Sequence, residues 1–200
     1  MNAVDGGDVL RLGLFVSLFV LFALAEHHWP RRPRTIDRLR RWRVNLGIVL
    51  IDTLILRMVL PLAPAASALL IQEQGWGLFH LLGFVGPAEI LVSVLTLDLL
   101  IYWQHRLFHR IPLLWRLHRM HHTDLDLDVT SGTRFHPLEI LLSMAIKLGA
   151  VLVLGISPLA LLLFEIILNA ASLFNHANLA LPESVDRWLR LVLVTPDMHR

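Results

Sequence analysis

The sequence predicts an all-α integral membrane protein, with about four transmembrane helices and a cytoplasmic cap of histidine-bearing helices. Three observations carry this expectation. Of the 200 residues, 56% are hydrophobic, and the mean hydropathy of +0.62 exceeds what a water-soluble domain of that length carries. The apolar residues come in runs of about 20, the helix length that crosses a hydrocarbon core. The 18 basic residues fall mostly between those runs rather than along a soluble face.

Residues 9–25 form the first run, interrupted by Arg11, Gly13 and Ser17. They read as a retained anchor, because residues 1–8 lack the basic start of a signal peptide and no small-residue cleavage site follows. Arg31, Arg32, Arg34, Arg38, Arg40, Arg41 and Arg43 then crowd thirteen residues. The positive-inside rule assigns that loop to the cytoplasm. Residues 44–71 form a second run, which Pro61 and Pro64 are expected to kink or end, and in which Asp52 and Arg57 need partners. The link 72–77 has no positive charge and carries Trp76, as suits an outer interface. Residues 78–103 return to the cytoplasmic side. Residues 138–175 read as a helical hairpin broken at Gly155-Ile156-Ser157-Pro158. Counting the hairpin as out and back places fifteen of the eighteen basic residues on one face, together with the histidines. In residues 182–194, Val185, Trp188, Leu189 and Val192 oppose Asp186, Arg187 and Arg190, the pattern of a helix lying on a membrane surface. The chain thus divides into an N-terminal transmembrane region, 1–93, and a histidine-bearing domain, 94–200.

Cysteine is absent, which excludes disulfides, thiolate ligands and a cysteine nucleophile. A net charge of only +2, with arginines beside apolar spans, argues against nucleic acid as a partner and for the lipid bilayer. Phosphate-binding glycine loops, a Ser-His-Asp signature and a His-Glu-x-x-His motif are likewise missing.

The chemistry is concentrated between Asp98 and Thr123, where five of 26 residues are histidine. His105 and His109 are four apart, so a helix carries both imidazoles on one face. His118, His121 and His122 repeat the arrangement at i, i+3 and i+4, and Pro112 between the groups lets both faces turn inward. Two such groups suit two metal ions, whereas buried histidines without partners are costly. Imidazole spacing alone permits zinc, iron, nickel or copper.

These residues resemble the membrane fatty acid hydroxylase/sterol desaturase superfamily, whose pattern is His-x3-His, His-x2-His-His and a later His-x2-His-His. Tyr-Trp-x-His-Arg at 102–106, Leu-Trp-Arg-x-His at 114–118, Arg-Phe-His-Pro-Leu-Glu at 134–139, Asn-His-Ala-Asn at 175–178 and Thr-Pro-Asp-Met-His-Arg at 195–200 are also similar to its bacterial members. The resemblance implies two iron ions, dioxygen as co-substrate, and hydroxylation or desaturation of a C–H bond in a membrane lipid, fatty acyl or sterol-like. It implies electrons from an external donor, a cytochrome b5-like protein, ferredoxin or reductase, and an inner-membrane location. It makes His105, His109, His118, His121, His122, His176 and His199 the metal ligands, with His136 structural or supporting the ligands from behind. His27, His28 and His80 match nothing in the pattern, and their surroundings favour an interfacial role.

An all-imidazole site needs carboxylates to orient its ring N–H groups and offset its charge. Asp98, two turns before His105 on the same helical face, is the first candidate, and Asp124, Asp126, Asp128, Glu139 and Asp197 flank the other ligands. The Asp124–Asp126–Asp128 run reads equally well as solvated acids. Apolar Leu107, Phe108, Leu114 and Trp115 are candidates for the wall of a lipid site. The rival readings are a membrane haem protein, a divalent-metal transporter and a catalytically dead relative. Because the third motif breaks off at His199-Arg200, the chain is expected to be part of a longer parent, inserted in the membrane yet inactive.

Overall fold

The computed structural model describes residues 3–60 and 64–200, and every described long element is an α-helix. Helix α1 is Ala3–His28, α2 Arg38–Val59, α3 Pro64–Glu73, α4 Leu78–Leu81 and α5 Pro87–Arg110. Then follow α6 Pro112–His118, α7 Pro137–Leu154, α8 Pro158–His176, α9 Glu183–Leu189 and α10 Pro196–His199. Among the described residues, five segments are long and apolar enough to cross a membrane: Val9–His28, Arg38–Leu81, Pro87–Arg110, Pro137–Leu154 and Pro158–His176. The expectation from sequence is about four, and the two arms of the hairpin are both among the five. Leu10, Leu50, Leu95, Leu152 and Ile167 are exposed along these segments, where lipid rather than water covers them. The expected break at Pro61 lies outside the described residues, and Pro64 opens α3.

The hairpin forms as the sequence predicts. Helix α7 stops at Gly155, which takes the left-handed conformation (φ 73°) that favours glycine. Ser157 then caps α8 by accepting from the Ala160 amide at 3.3 Å. Ser157 Oγ also donates to Glu89 Oε2 at 2.8 Å, so the first turn of α5 is fastened to the hairpin bend. Leu97 of α5, Val151 of α7 and Ala160, Leu161 and Phe164 of α8 form the principal apolar core, joined by Ala68, Ile71 and Phe79.

Polar residues at membrane depth largely satisfy one another, as hydrocarbon demands. Glu165 of α8 is bonded by both Lys147 of α7 and Arg11 of α1, tying three helices together. Asp52 is buried with one carboxyl oxygen unbonded. Arg57 is exposed and makes no ion pair among the described residues.

At the end of the bundle that carries the histidines, three connecting segments interlock. Buried Glu26, in the last turn of α1, accepts from the amides of Val129 at 2.6 Å and Asn178 at 2.9 Å. Residues 29–31 pair with 178–180 through Arg31 N to Asn178 O at 3.1 Å and Ala180 N to Trp29 O at 3.0 Å. Arg41, in the first turn of α2, reaches across to the loop that follows the histidine motif. Its guanidinium grips Asp124 with two bonds of 2.8 and 2.7 Å, donates to Asp128 at 2.9 Å, and also bonds the Asp126 carbonyl. Asp126 in turn accepts from the amides of Thr35 and Ile36, both at 2.8 Å. The aspartate run is therefore an anchor between loops and not a solvated face. Residues 182–194 contain only the short α9; Val185, Trp188 and Val192 are exposed, but Leu189 is half-buried, and Asp186, expected on the polar face, is buried and paired with Arg190.

Candidate metal centre

Seven histidines converge where α5, α6, α8 and α10 end. His105, His109, His118 and His122 offer nitrogens within 4.8 Å of one another, and His121, His176 and His199 form a second group to the same limit. The groups are adjacent, with His118 and His121 ring centres 5.3 Å apart and His122 and His199 5.8 Å apart. The division differs from one motif per group. The two i,i+4 pairs, each with facing Nε2 atoms 3.2 Å apart, combine into one set. His121 turns the other way because α6 ends at His118 and residues His121–Thr123 form a 3-10 turn.

The hydrogen bonds fix which nitrogens are free. His121 Nδ1 faces the Arg134 carbonyl at 3.0 Å and His176 Nδ1 faces the Ser172 carbonyl at 2.8 Å. A carbonyl only accepts, so each Nδ1 carries the proton and each Nε2 is a bare lone pair. Those two lone pairs confront each other at 2.7 Å. The third member, His199, has a buried Nε2 with no hydrogen-bond partner. Lone pairs gathered in a buried pocket repel unless a cation lies between them. Metal–imidazole bonds of about 2.1 Å meeting at right angles would put donors about 3 Å apart, close to the spacing found. In the first group, His118 Nδ1 donates to buried Glu139 at 2.6 Å, leaving its Nε2 free in the same way.

Burial, followed by repulsion from neighbouring imidazoles, pushes His122 and His199 down to about 4. For His121 the same burial, then His176, acts downward and outweighs its bond to the Arg134 carbonyl. At neutral pH these rings are uncharged, the form that ligates metal.

The segment 134–139 supports both groups, each residue differently. The Arg134 carbonyl and the Phe135 ring, stacked at 4.6 Å, hold His121. His136 caps α7 by accepting from the Leu138 amide at 3.2 Å, so it acts on the site through the helix that carries Glu139. Glu139, named from sequence only as a flanking acid, is the carboxylate that reaches a ring N–H. Asp98 is exposed on α5 and makes no hydrogen bond or ion pair among the described residues. Asp197 is also occupied otherwise, accepting from Arg31 at 3.1 and 3.2 Å and from Arg200 at 3.0 Å. Of the apolar candidates, Phe108 is buried against His118, while Trp115 covers His109 and His122 from outside. His27 and His28 lie exposed beside Trp29 and in neither group.

Sequence reasoning passed over Glu26 and Gly132. The signal for Glu26 was an acid at the end of an otherwise apolar helix. Gly132 lies so close to α8 that a Cβ there would sit 2.7 Å from the Ser172 carbonyl and 3.2 Å from His176 Nδ1. Gly132→Ala is therefore expected to displace the carbonyl that orients His176 and to lower stability by about 1–3 kcal/mol. Denaturant unfolding in detergent measures this, and an unchanged midpoint would refute the close approach.

A family model described as fatty acid hydroxylase matches residues 90–200. The ornithine lipid hydroxylase OlsE of Rhizobium tropici is 29% identical over 113 residues, which are 56% of this chain and 33% of that protein. The chain thus spans about a third of the length of this relative. No solved structure matches.

Proposed function

Because the chain belongs to the fatty acid hydroxylase family, we propose that it is an integral-membrane oxidoreductase that hydroxylates a C–H bond of a membrane lipid. His105, His109, His118 and His122 hold one metal ion and His121, His176 and His199 the other. The observation that carries this reading is the pair of bare Nε2 atoms of His121 and His176 facing each other at 2.7 Å. Imidazole donors suit iron among other metals, and the family's chemistry favours iron. When bound, the ions would activate dioxygen, one oxygen atom entering the C–H bond and the other leaving as water, with electrons drawn from an external donor protein.

The chain's own part is positional. Glu139 and the carbonyls of Arg134 and Ser172 fix the ring tautomers, and Phe108 and Phe135 pack the rings from behind. The arginines at 31–43 lie at the same end of the bundle, so by the positive-inside rule the site faces the cytoplasm. The test is metal analysis of the purified protein, together with dioxygen-dependent oxidation of lipid extracts by the protein reconstituted with iron and a reducing system. Metal-free protein after iron reconstitution would reject the reading.

Losing a carboxylate that orients a ligand typically lowers metal affinity about 10–100-fold. Glu139→Gln is expected to fall in that range in competition against a chelator. Asp98→Asn is expected to stay within about twofold of wild type, because Asp98 has no contact with a ring. Equal losses for the two variants would refute the assignment of Glu139.

A further inference from the structure

A cleft of about 430 Å³ lies beside the histidine groups. One wall is segment 32–35, the other is loop 124–127, and its lining includes His122 and His199, one from each group. The acids in that lining are already engaged. Asp124 is held by Arg41 and Asn45, and Asp126 by Thr35 and two backbone amides. Of the cations, Arg200 is held by Asp197 and Asn178, whereas Arg32 and Arg34 are less satisfied. The Arg32 side chain makes no hydrogen bond or ion pair among the described residues, although its backbone pairs with Asn178. Arg34 has Nε and one terminal nitrogen buried without an acceptor, and its carboxylate neighbour Glu26 stands 3.9 Å away.

Buried donors left unbonded cost about 1–3 kcal/mol each, and more when charged. Only Arg34 carries that cost; Arg32 is exposed and free of side-chain partners among the described residues, and its planar guanidinium fork matches phosphate and carboxylate oxygens. The position of the cleft says where the anion comes from. Arg32 and Arg34 follow the end of membrane-crossing α1 by only a few residues, just after exposed Trp29, which puts them at the depth of lipid headgroups.

We propose that this cleft seats the anionic part of a lipid headgroup, phosphate or carboxylate, with Arg32 and Arg34 donating to its oxygens. The inference rests on the lipid-hydroxylase reading of the adjoining site and adds to it a rule of substrate choice. Lipids with an anionic headgroup are anchored next to His122 and His199, and neutral lipids are not.

Calorimetric titration of the purified full chain in detergent tests this with three probes: a short-chain phosphatidate, the diacylglycerol of the same chains, and inorganic phosphate. Phosphatidate is expected to bind at least about tenfold more tightly than either of the others, the worth of a charge-assisted hydrogen bond. Arg32→Gln is expected to weaken phosphatidate about tenfold. Its side chain has no partner to lose, so the fold is not at risk. Arg34→Lys keeps the charge against Glu26 but loses the fork, and is expected to weaken binding as well. Arg43→Gln, an exposed arginine outside the cleft, should bind like wild type. Equal binding of phosphatidate and diacylglycerol, or an Arg32→Gln variant that binds normally, overturns the proposal. Inorganic phosphate binding as tightly as phosphatidate overturns it too, by assigning the cleft to a free anion. Failure of the hydroxylase reading shows separately: the protein would then hold no metal while phosphatidate binding to Arg32 and Arg34 persisted.

Discussion

Replacing His121 by alanine is expected to lower the metal content of the purified protein from about two ions per chain to about one. His121 belongs to the smaller group, which has three nitrogens among the described residues. Losing one leaves His176 and His199 as its only imidazoles. The four-histidine group keeps all its nitrogens, so its ion should remain. His121 and His176 belong to the same group, and residues that act as a unit are strongly non-additive. His121→Ala combined with His176→Ala should therefore lose no more metal than either single change. Retention of both ions in His121→Ala would refute the assignment. Loss of both would mean that the histidines form one site rather than two.

The histidine spacing was legible because helical periodicity is a local property, and 105/109 and 118/122 needed only one turn each to meet. What periodicity could not show is how separate turns combine. The 3-10 turn at 121–123 sends His121 toward α8, and nothing in the His-x2-His-His spelling marks that turn. The hairpin at 155–158 was legible for the opposite reason, since its glycine, serine and proline each have one conformational use there.

Carboxylates were the least legible part. Asp98 shares a helical face with His105, but a shared face fixes direction and not burial. His105 is surrounded by His109, His118 and His199, while Asp98 two turns earlier is exposed. Glu139 lies 21 residues from its partner His118, a distance no local pattern spans. Arg41 was visible only as one of seven charges that set topology. The same charge density that orients the protein in the membrane also hides which arginine the fold depends on.

Arg41→Ala is expected to destabilise the protein by about 3–5 kcal/mol, the cost of removing one partner from a buried ionic cluster. Arg41 and Asp128 are 5% and 0% exposed, so water cannot replace the lost guanidinium. Asp124 and Asp128 would be left as buried anions, and the loop they anchor begins two residues after His122. Burial by itself pushes the Asp124 carboxyl up, but Asn45, Arg41 and Ser131 together hold it below its ordinary value. In the wild type this contribution is complete above the unfolded-state value near pH 4 and is lost as pH falls through the lower folded value. Without Arg41 the burial effect gains weight and the carboxyl is driven upward. Stability from that group is then present below about pH 4 and lost as pH rises through the raised folded value. The variant is therefore expected to be most impaired at neutral pH and partly restored by mild acid, the reverse of the wild type. Arg41→Lys should not rescue it, because a single ammonium cannot grip Asp124 through two bonds while reaching Asp128. Thermal unfolding in detergent at pH 5 and pH 7 reads both effects. An Arg41→Ala protein within about 1 kcal/mol of wild type, with the same pH trend, would show that the loop is held by something other than this cluster.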